Sequence, residues 1–313
     1  MTADPLVSVI IPTYNRAGII SRTIDNVFEQ TYRNFELIIV DDGSIDETQE
    51  VLKRYGDRIR VVAQKNAGPA VARNRGARAA RGEIIAFQDS DDLWQPTKLD
   101  RQVALLEMDR SIPCCLCNVL MRVVDGKPFT SFEHSLIRFE HEEGIWLNVA
   151  DVLTTRFVLF NQAAAIRRWA FEKVGGFPED LKYLEDYELP LRLSGVGPWT
   201  FIRKPLVVYG ENSPLSFSEQ AKKESSILRE CEVAIYERIL ALPEGEAFES
   251  NAQRNLKWRL QRARSGIRSS KLMQAQSQIA RLLGKFLMKR DRYLMGIYRR
   301  SPLFPRALTA PVS

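Results

Sequence analysis

A chain of 313 residues, 45% hydrophobic and 27% charged, has room for one large α/β unit with an appendage or for two units, and its composition excludes global disorder. No run of about 18 uninterrupted apolar residues appears, which excludes an ordinary membrane-spanning helix; MTADPLVSVIIP lacks the basic n-region and cleavage site of a secretory leader, so a cytoplasmic enzyme is expected. The net charge of +6 is uneven, with 26 basic and 31 acidic residues before Ala221 and 19 basic and 8 acidic from there on, an asymmetry that points to different partners for the two parts.

In chain order, LVSVII is a short β-branched run closed by Pro12, and Ile20, Ile24, Val27 and Phe28 recur at helical spacing between Ala17 and Gln30. FELIIV (35–40) predicts a second buried strand. Ser44 or Asp46 is expected to cap a helix whose inner face carries Val51 and Leu52. IRVVA (59–63) predicts a third strand, a helix runs from near Gly68 to Gly82, and EIIAF (83–87) predicts a fourth strand. This alternation implies a mostly parallel sheet covered on both faces by helices. Ligands of such sheets bind at the carboxyl ends of the strands, so the loops PTYNR, DDGS, QKNAG and QDSDD are expected to converge on one crevice.

Further along, CCLCNVLMRVV reads as a strand and VDGKP as a turn, whereas FTSFEHSLIRFEHEEGIW reads as irregular. AAAIRRWAFEKVGGF predicts a short helix ending at Gly175 or Gly176. YLEDYELPLRLS (183–194) predicts a helix with Leu184, Tyr187, Leu191 and Leu193 inward, starting late or kinked because of Pro190. TFIRKPLVVYG predicts a last strand. From Ser218 helices dominate, with Pro243 and Gly245 as a break.

The four cysteines are expected to be buried thiols that pack as small apolar residues. Three of them, Cys114, Cys115 and Cys117, lie in one strand; with only two histidines, His134 and His141, the spacing is wrong for zinc. In FQDSDDLWQP, Asp89, Asp91 and Asp92 crowd four positions after a strand. One aspartate could cap a helix begun by Pro96, but three together are poor capping. A calcium loop of the EF-hand kind would need a longer run ending in Glu. An Asp-x-Asp site for Mg²⁺ or Mn²⁺ bound together with a diphosphate suits both the residue types and the strand-end location.

Three stretches in order, VSVIIPTYNRAGIISRTIDNVFEQTYRNFELIIVDDGSIDET, NAGPAVARNRGARAARGEIIAFQDSDD and GGFPEDLKYLEDYELPLRL, resemble family 2 nucleotide-sugar glycosyltransferases of the GT-A fold, from about Val7 to Ser216. The resemblance implies a catalytic unit over residues 1–217, with a nucleotide-sugar half (1–112) and an acceptor half (113–217), followed by a basic helical extension (218–313). It implies that Pro12 and Tyr14 pack on the nucleotide base, that Asp41 binds the base edge or its ribose, and that Arg73 lies near the phosphates. Asp42 is either a neighbour in that role or a turn residue before Gly43. By the same resemblance Asp89 faces the ribose, Asp91 ligates the metal, Asp186 is the general base of an inverting transfer, and Glu185 orients the acceptor or the base. The implied partners are a nucleoside-diphosphate sugar, expected to be UDP-linked, and a glycan or lipid-linked acceptor of envelope or exopolysaccharide synthesis, with the acceptor pocket within 125–165. One departure is Asn212, which stands near the place where many relatives carry a histidine, leaving water or Glu211 to complete the metal shell.

The tail from Arg254 carries 15 basic residues and one acid, Asp291, with Trp258, Leu260, Phe286 and other apolar anchors. Such helices suit peripheral contact with an anionic membrane at its inner face; packing on the catalytic unit or on a second subunit is the alternative. Nucleic acid fits the charge but not the rest of the chain. The rival readings are an inactive scaffold on the same fold, against which Asp41, Asp91 and Asp186 weigh, and a nucleotidyltransferase, whose glycine-rich loop is missing from PTYNR.

Overall fold

The computed structural model describes residues 4–121, 129–210, 225–242, 250–274 and 309–310. Its first hundred residues follow the expected alternation: β1 (Val7–Thr13), α1 (Ile20–Phe28), β2 (Phe35–Asp41), α2 (Thr48–Lys53), β3 (Arg60–Ala63), α3 (Pro69–Ala79) and β4 (Ile84–Phe87). β3, β2, β1 and β4 lie side by side and all run parallel. Their runs of Val and Ile are continuous because the inner strands are covered on both faces; Val9, Ile10, Ile11, Ile38, Ile39 and Val40 are fully buried, each contributing about 1.5–3 kcal/mol of transfer free energy. α3 lies so close to this sheet that a Cβ on Gly76 would meet the side chains of Ile10 and Val40.

The second half completes one mixed sheet. After β5 (Leu93–Trp94) and α4 (Lys98–Glu107) come β6 (Cys114–Met121), β7 (Phe129–Thr130), α5 (Ser131–His134), β8 (Glu143–Trp146), α6 (Val149–Leu153), β9 (Ala164–Arg167), α7 (Arg168–Lys173), α8 (Glu185–Ser194) and β10 (Trp199–Val208). The strand order is β8-β10-β6-β9-β4-β1-β2-β3, with β11 (Thr309–Ala310) paired to β8 and the short β5 and β7 to β10 and β6. β9 runs antiparallel between β4 and β6, and β6 and β10 return to the direction of β4. The mostly parallel α/β expectation therefore holds, with β9, β8 and the short β5 and β7 as reversed strands.

Several local expectations need correction. The stretch 129–146 is ordered rather than irregular. Thr130 opens α5 with a capping box, accepting from the Glu133 amide at 3.4 Å while the Glu133 carboxylate accepts from the Thr130 amide at 2.8 Å. Phe139 stacks on Phe201 at 3.7 Å and meets Trp146 edge-on at 5.1 Å, building a second aromatic core. AAAIR is a strand, not the start of a helix. The VDGKP turn and the Pro243–Gly245 break lie outside the described residues. α8 does start late, at Glu185, and keeps Pro190 inside it. All four cysteines are free and buried, as expected, and burial raises the thiols of Cys115 and Cys117 to about 12 and about 11.

Two helices, α9 (Ser225–Leu240) and α10 (Ser250–Gln274), pack against each other and onto α6 and α8. Ile235, Tyr236, Ile239, Ala252 and Leu256 are buried there. No helix among the described residues is long and apolar enough to cross a membrane.

Candidate active site

The carboxyl ends of β1, β2 and β4 meet at a cleft of about 500 Å³. The loops after β1 and β2 are stitched together. Asn15, at φ +52, donates its amide to Ser44 Oγ at 3.0 Å and accepts the Ile45 amide at 2.9 Å; Asn is one of the few residues that adopts this backbone locally. Ala17 N donates to Asp46 Oδ2 at 3.1 Å and Thr48 N to Asp46 Oδ1 at 3.0 Å, so Asp46 rather than Ser44 holds the start of α2. Pro12 and the exposed Tyr14 form one lip of the cleft, where a flat base could lie.

The two aspartates of DDGS divide differently from expectation. Asp41 is fully buried, and its oxygens accept from Ser44 N at 3.0 Å and Gln49 Nε2 at 2.9 Å. Asp42 lines the cleft instead. Its carboxylate is aimed by the amides of Ala67 and Gly68, at 2.8 and 2.9 Å, and by Gln64 Nε2 at 2.7 Å. Asp41 is the last residue of its strand, so its side chain takes one face of the sheet while Asp42, one step on, turns to the other.

The DSDD loop is fixed from three sides. Thr23 Oγ1 donates to the Ser90 carbonyl at 2.7 Å, Gln88 Nε2 to the Asp92 carbonyl at 3.0 Å, and Gly210 N to Asp92 Oδ1 at 2.7 Å. Asp92 thus ties the end of β10 to the loop rather than capping α4. A Cβ on Gly210 would collide with the Asp91 carbonyl. Asp89 and Asp91 both line the cleft. Burial, and then the neighbouring Asp89 charge, raise the proton affinity of Asp91, partly offset by Arg16, whose guanidinium lies 4.0 Å away. Burial and Asp89 push Asp92 well above the ordinary range, and burial, with these aspartates behind it, lifts the Tyr209 phenol to about 12. Such a concentration of negative charge favours a cation. Among the described residues no three His, Cys, Asp or Glu side chains form a ready cage. Asp91 beside Asp89 is the sparse carboxylate set with which Mg²⁺ binds jointly with substrate phosphates, so these residues fit the expected metal. Glu211 and Asn212 lie outside the described residues.

Arg73, expected near the phosphates, lines the cleft as well. It is buried on the inner side of α3 and bridges two carboxylates, Asp89 at 2.7 Å and Glu185 at 3.2 Å. Burial opposes its charge, but Asp89 and Glu185 outweigh that and raise its proton affinity. One guanidinium therefore joins the DSDD loop to the start of α8. Asp186, next to Glu185, lines the same cleft. Burial and then the charge of Glu185 raise its carboxyl from 3.8 to about 7. The Arg73 ion pair goes to Glu185, which leaves Asp186 as the carboxylate best matched to accept a proton near neutral pH.

Every expected site residue except Asp41 lines this cleft. Sequence reasoning passed over Arg16, Tyr209 and the wall Leu159–Gln162, which line it too. Arg16 stands in the PTYNR loop itself, and Leu159–Gln162 fall within the stretch expected to hold the acceptor.

Residues 8–169 match the family model described as "Glycosyl transferase family 2". A glycosyltransferase of Bacillus subtilis, TuaG, whose name refers to teichuronic acid biosynthesis, is 37% identical over 154 residues, 48% of this chain and 61% of that protein. The chain spans less than two thirds of the length of the first curated relatives it matches. S. aureus TarS 1-349, solved in complex with UDP-GlcNAc, shares the fold with a TM-score of 0.66 at 22% identity, covering 84% of this chain and 74% of that one. The mannosyltransferase PcManGT from Pyrobaculum calidifontis, solved with GDP-Man and Mn²⁺, has a TM-score of 0.56 at 22% identity, covering 89% and 81%.

Proposed function

Because the chain belongs to glycosyl transferase family 2, we propose that it transfers a sugar, with inversion, from a UDP-linked donor to a hydroxyl of a glycan or lipid-linked acceptor in cell-envelope or exopolysaccharide synthesis. The observation that carries this reading is the cleft itself. Asp186, whose carboxyl is raised to about 7, lines it together with the crowded Asp89, Asp91 and Asp92, with the exposed Tyr14 at its edge, and this supports the reading.

Tyr14 and Pro12 hold the base by packing, and Asp42, in place of the expected Asp41, accepts its N–H. Asp91, with Asp89 beside it, would hold Mn²⁺ or Mg²⁺ together with the diphosphate, and the ion when bound would neutralise charge on the leaving group. Arg73 fixes Asp89 and Glu185 by neutralising both, which keeps the donor wall and the base in one frame. Asp186 takes the proton of the acceptor hydroxyl as that oxygen attacks the anomeric carbon from the face opposite the diphosphate. The C1–O bond to the diphosphate breaks and its electron pair leaves with the diphosphate. TuaG and its teichuronic acid name support the envelope setting. On the outer face of α10, Trp258 is exposed beside Arg254, Lys257 and Arg262, which supports contact with an anionic membrane surface.

The test is a panel of UDP-, GDP- and dTDP-linked sugars, scored by thermal shift and by nucleotide release, on the wild type and on Asp91→Ala and Asp186→Asn. A shift and release specific to UDP donors, with release lost in both variants, is the expected result. Undiminished release in both variants would overturn the site assignment, and pyrophosphate release from UTP and a sugar phosphate would favour nucleotidyl transfer.

A further inference from the structure

The start of α8 carries Glu185, Asp186 and Glu188 in its first turn but has no side-chain cap. Its N-cap, Leu184, sits at φ +68 and makes no side-chain cap hydrogen bond. Such a left-handed backbone is strained in a residue with a Cβ. Pro190 removes the amide that would close the helical bond to the Asp186 carbonyl. Something outside the helix must hold this turn.

The Arg73–Glu185 pair is one outside support; the others come from the C-terminal helices. Glu188, two residues after Asp186, is fully buried. Its carboxylate accepts from Nη1 of Arg238 on α9 at 2.9 and 3.1 Å, and Arg192 Nε on α8 lies 3.1 Å away. The other arm of Arg238 donates to Asp180 at 2.6 Å, in the loop that leads into α8. Tyr187, adjacent to Asp186, packs edge-on against Tyr236 of α9 at 6.3 Å. Arg259 of α10 donates to the hydroxyls of Tyr187 and Tyr236, at 3.5 and 3.3 Å, and to the Thr155 carbonyl. Two arginines from outside the matched segment 8–169 thus grip the two residues that follow Asp186 most closely on its buried side.

We propose that α9 and α10 are a clamp on the catalytic helix, in which Arg238 and Arg259 act as positioning residues that set Asp186 against the acceptor oxygen. Without Arg238 the buried Glu188 would keep Arg192 alone as its counter-charge, and the turn would be held from outside only by the Arg73–Glu185 pair and by Arg259. A displacement of the base by about 1 Å is enough to slow a transfer by up to about a hundredfold, while the nucleotide end of the cleft, built from β1, β2 and α3, has no contact with these arginines in any of the bonds above. The clamp therefore acts on turnover and not on donor binding.

This rests on Asp186 being the base, and the experiment separates the two. In the full chain, kcat and donor KM for nucleotide release are measured for Arg238→Ala, Arg238→Lys, Tyr187→Phe and Asp186→Asn, with UDP binding followed by calorimetry. The expected result is a kcat lower by about ten- to a hundredfold in Arg238→Ala with KM and UDP affinity unchanged, partial recovery in Arg238→Lys, and a several-fold loss of kcat in Tyr187→Phe. If Arg238→Ala fails to bind UDP because it does not fold, Tyr187→Phe, which keeps the ring, decides. Normal kcat in Arg238→Ala and Tyr187→Phe with Asp186→Asn inactive would overturn the clamp alone, and so would equal losses of UDP affinity and kcat. Retained turnover in Asp186→Asn would overturn the base.

Discussion

Replacing Asp186 by Asn keeps the side chain's shape and removes its charge, and it separates what this residue does for the reaction from what it costs the fold. Burial beside Glu185 raises the carboxyl from 3.8 to about 7. Below about pH 4 the group is protonated in both the folded and the unfolded chain, and its charge costs nothing. Between about pH 4 and pH 7 the unfolded chain loses its proton first, so stability falls as pH rises, and the whole penalty stands above pH 7. A gap of about three pH units corresponds to about 4 kcal/mol; the open side of the cleft lets solvent screen the charge, leaving on the order of 2 kcal/mol. Urea unfolding of both proteins at pH 4.5 and pH 8.5 measures this. The stability difference should move by about 2 kcal/mol in favour of Asp186→Asn at the higher pH, while nucleotide release falls by about a hundredfold or more. In the wild type, release should fade as pH drops below about 7, where the base takes up its proton. A stability difference that is flat with pH would refute the burial argument, and retained release would refute the catalytic one.

Three further outcomes are expected. Gly210→Ala should lower stability by about 1–3 kcal/mol and weaken turnover, because the added Cβ meets the Asp91 carbonyl; an unchanged melting curve would mean that the DSDD loop yields. Asp42→Ala should weaken UDP binding by about tenfold or more, since a charge-assisted hydrogen bond is worth about 1.5–3 kcal/mol, whereas Asp41→Asn should act on stability through its bonds to Ser44 and Gln49; calorimetry with UDP on both variants tells them apart. Mn²⁺ should add to the thermal shift produced by UDP in the wild type and add nothing in Asp91→Ala, and an equal addition in both would place the ion elsewhere.

The first four strands were legible because each is a short run of Val and Ile set between polar loops, and those loops meet at one crevice as expected. β9 was not legible, since three alanines before IRRWAFEK are as apolar as a helix start and short runs have no decisive period. The capping box at Thr130 and Glu133 was readable as T-x-x-E, but two-residue strands leave no periodic trace. At the site, residue types pointed to carboxylates on both walls, and the structure brings them together. Which of Asp41 and Asp42 faces the cleft depends on a single step of strand pleat, and Arg73 among Arg75, Arg78 and Arg81 turns inward only because α3 presents its small residues to the sheet. Neither follows from spacing alone.

The reversed direction of β9 has a consequence for how this fold could diverge. Because β9 runs against β4 and β6, it begins near the end of β4, and Leu159–Gln162 enter the cleft from a segment that shares no loop with the wall built on β1 and β2. Insertions or exchanges between α6 and β9 would remodel that wall while β1 to β4 keep their register. The sheet is in effect hinged for variation along one seam, so one wall of the cleft can change while the strand ends that carry Pro12, Asp42 and Asp89 stay fixed.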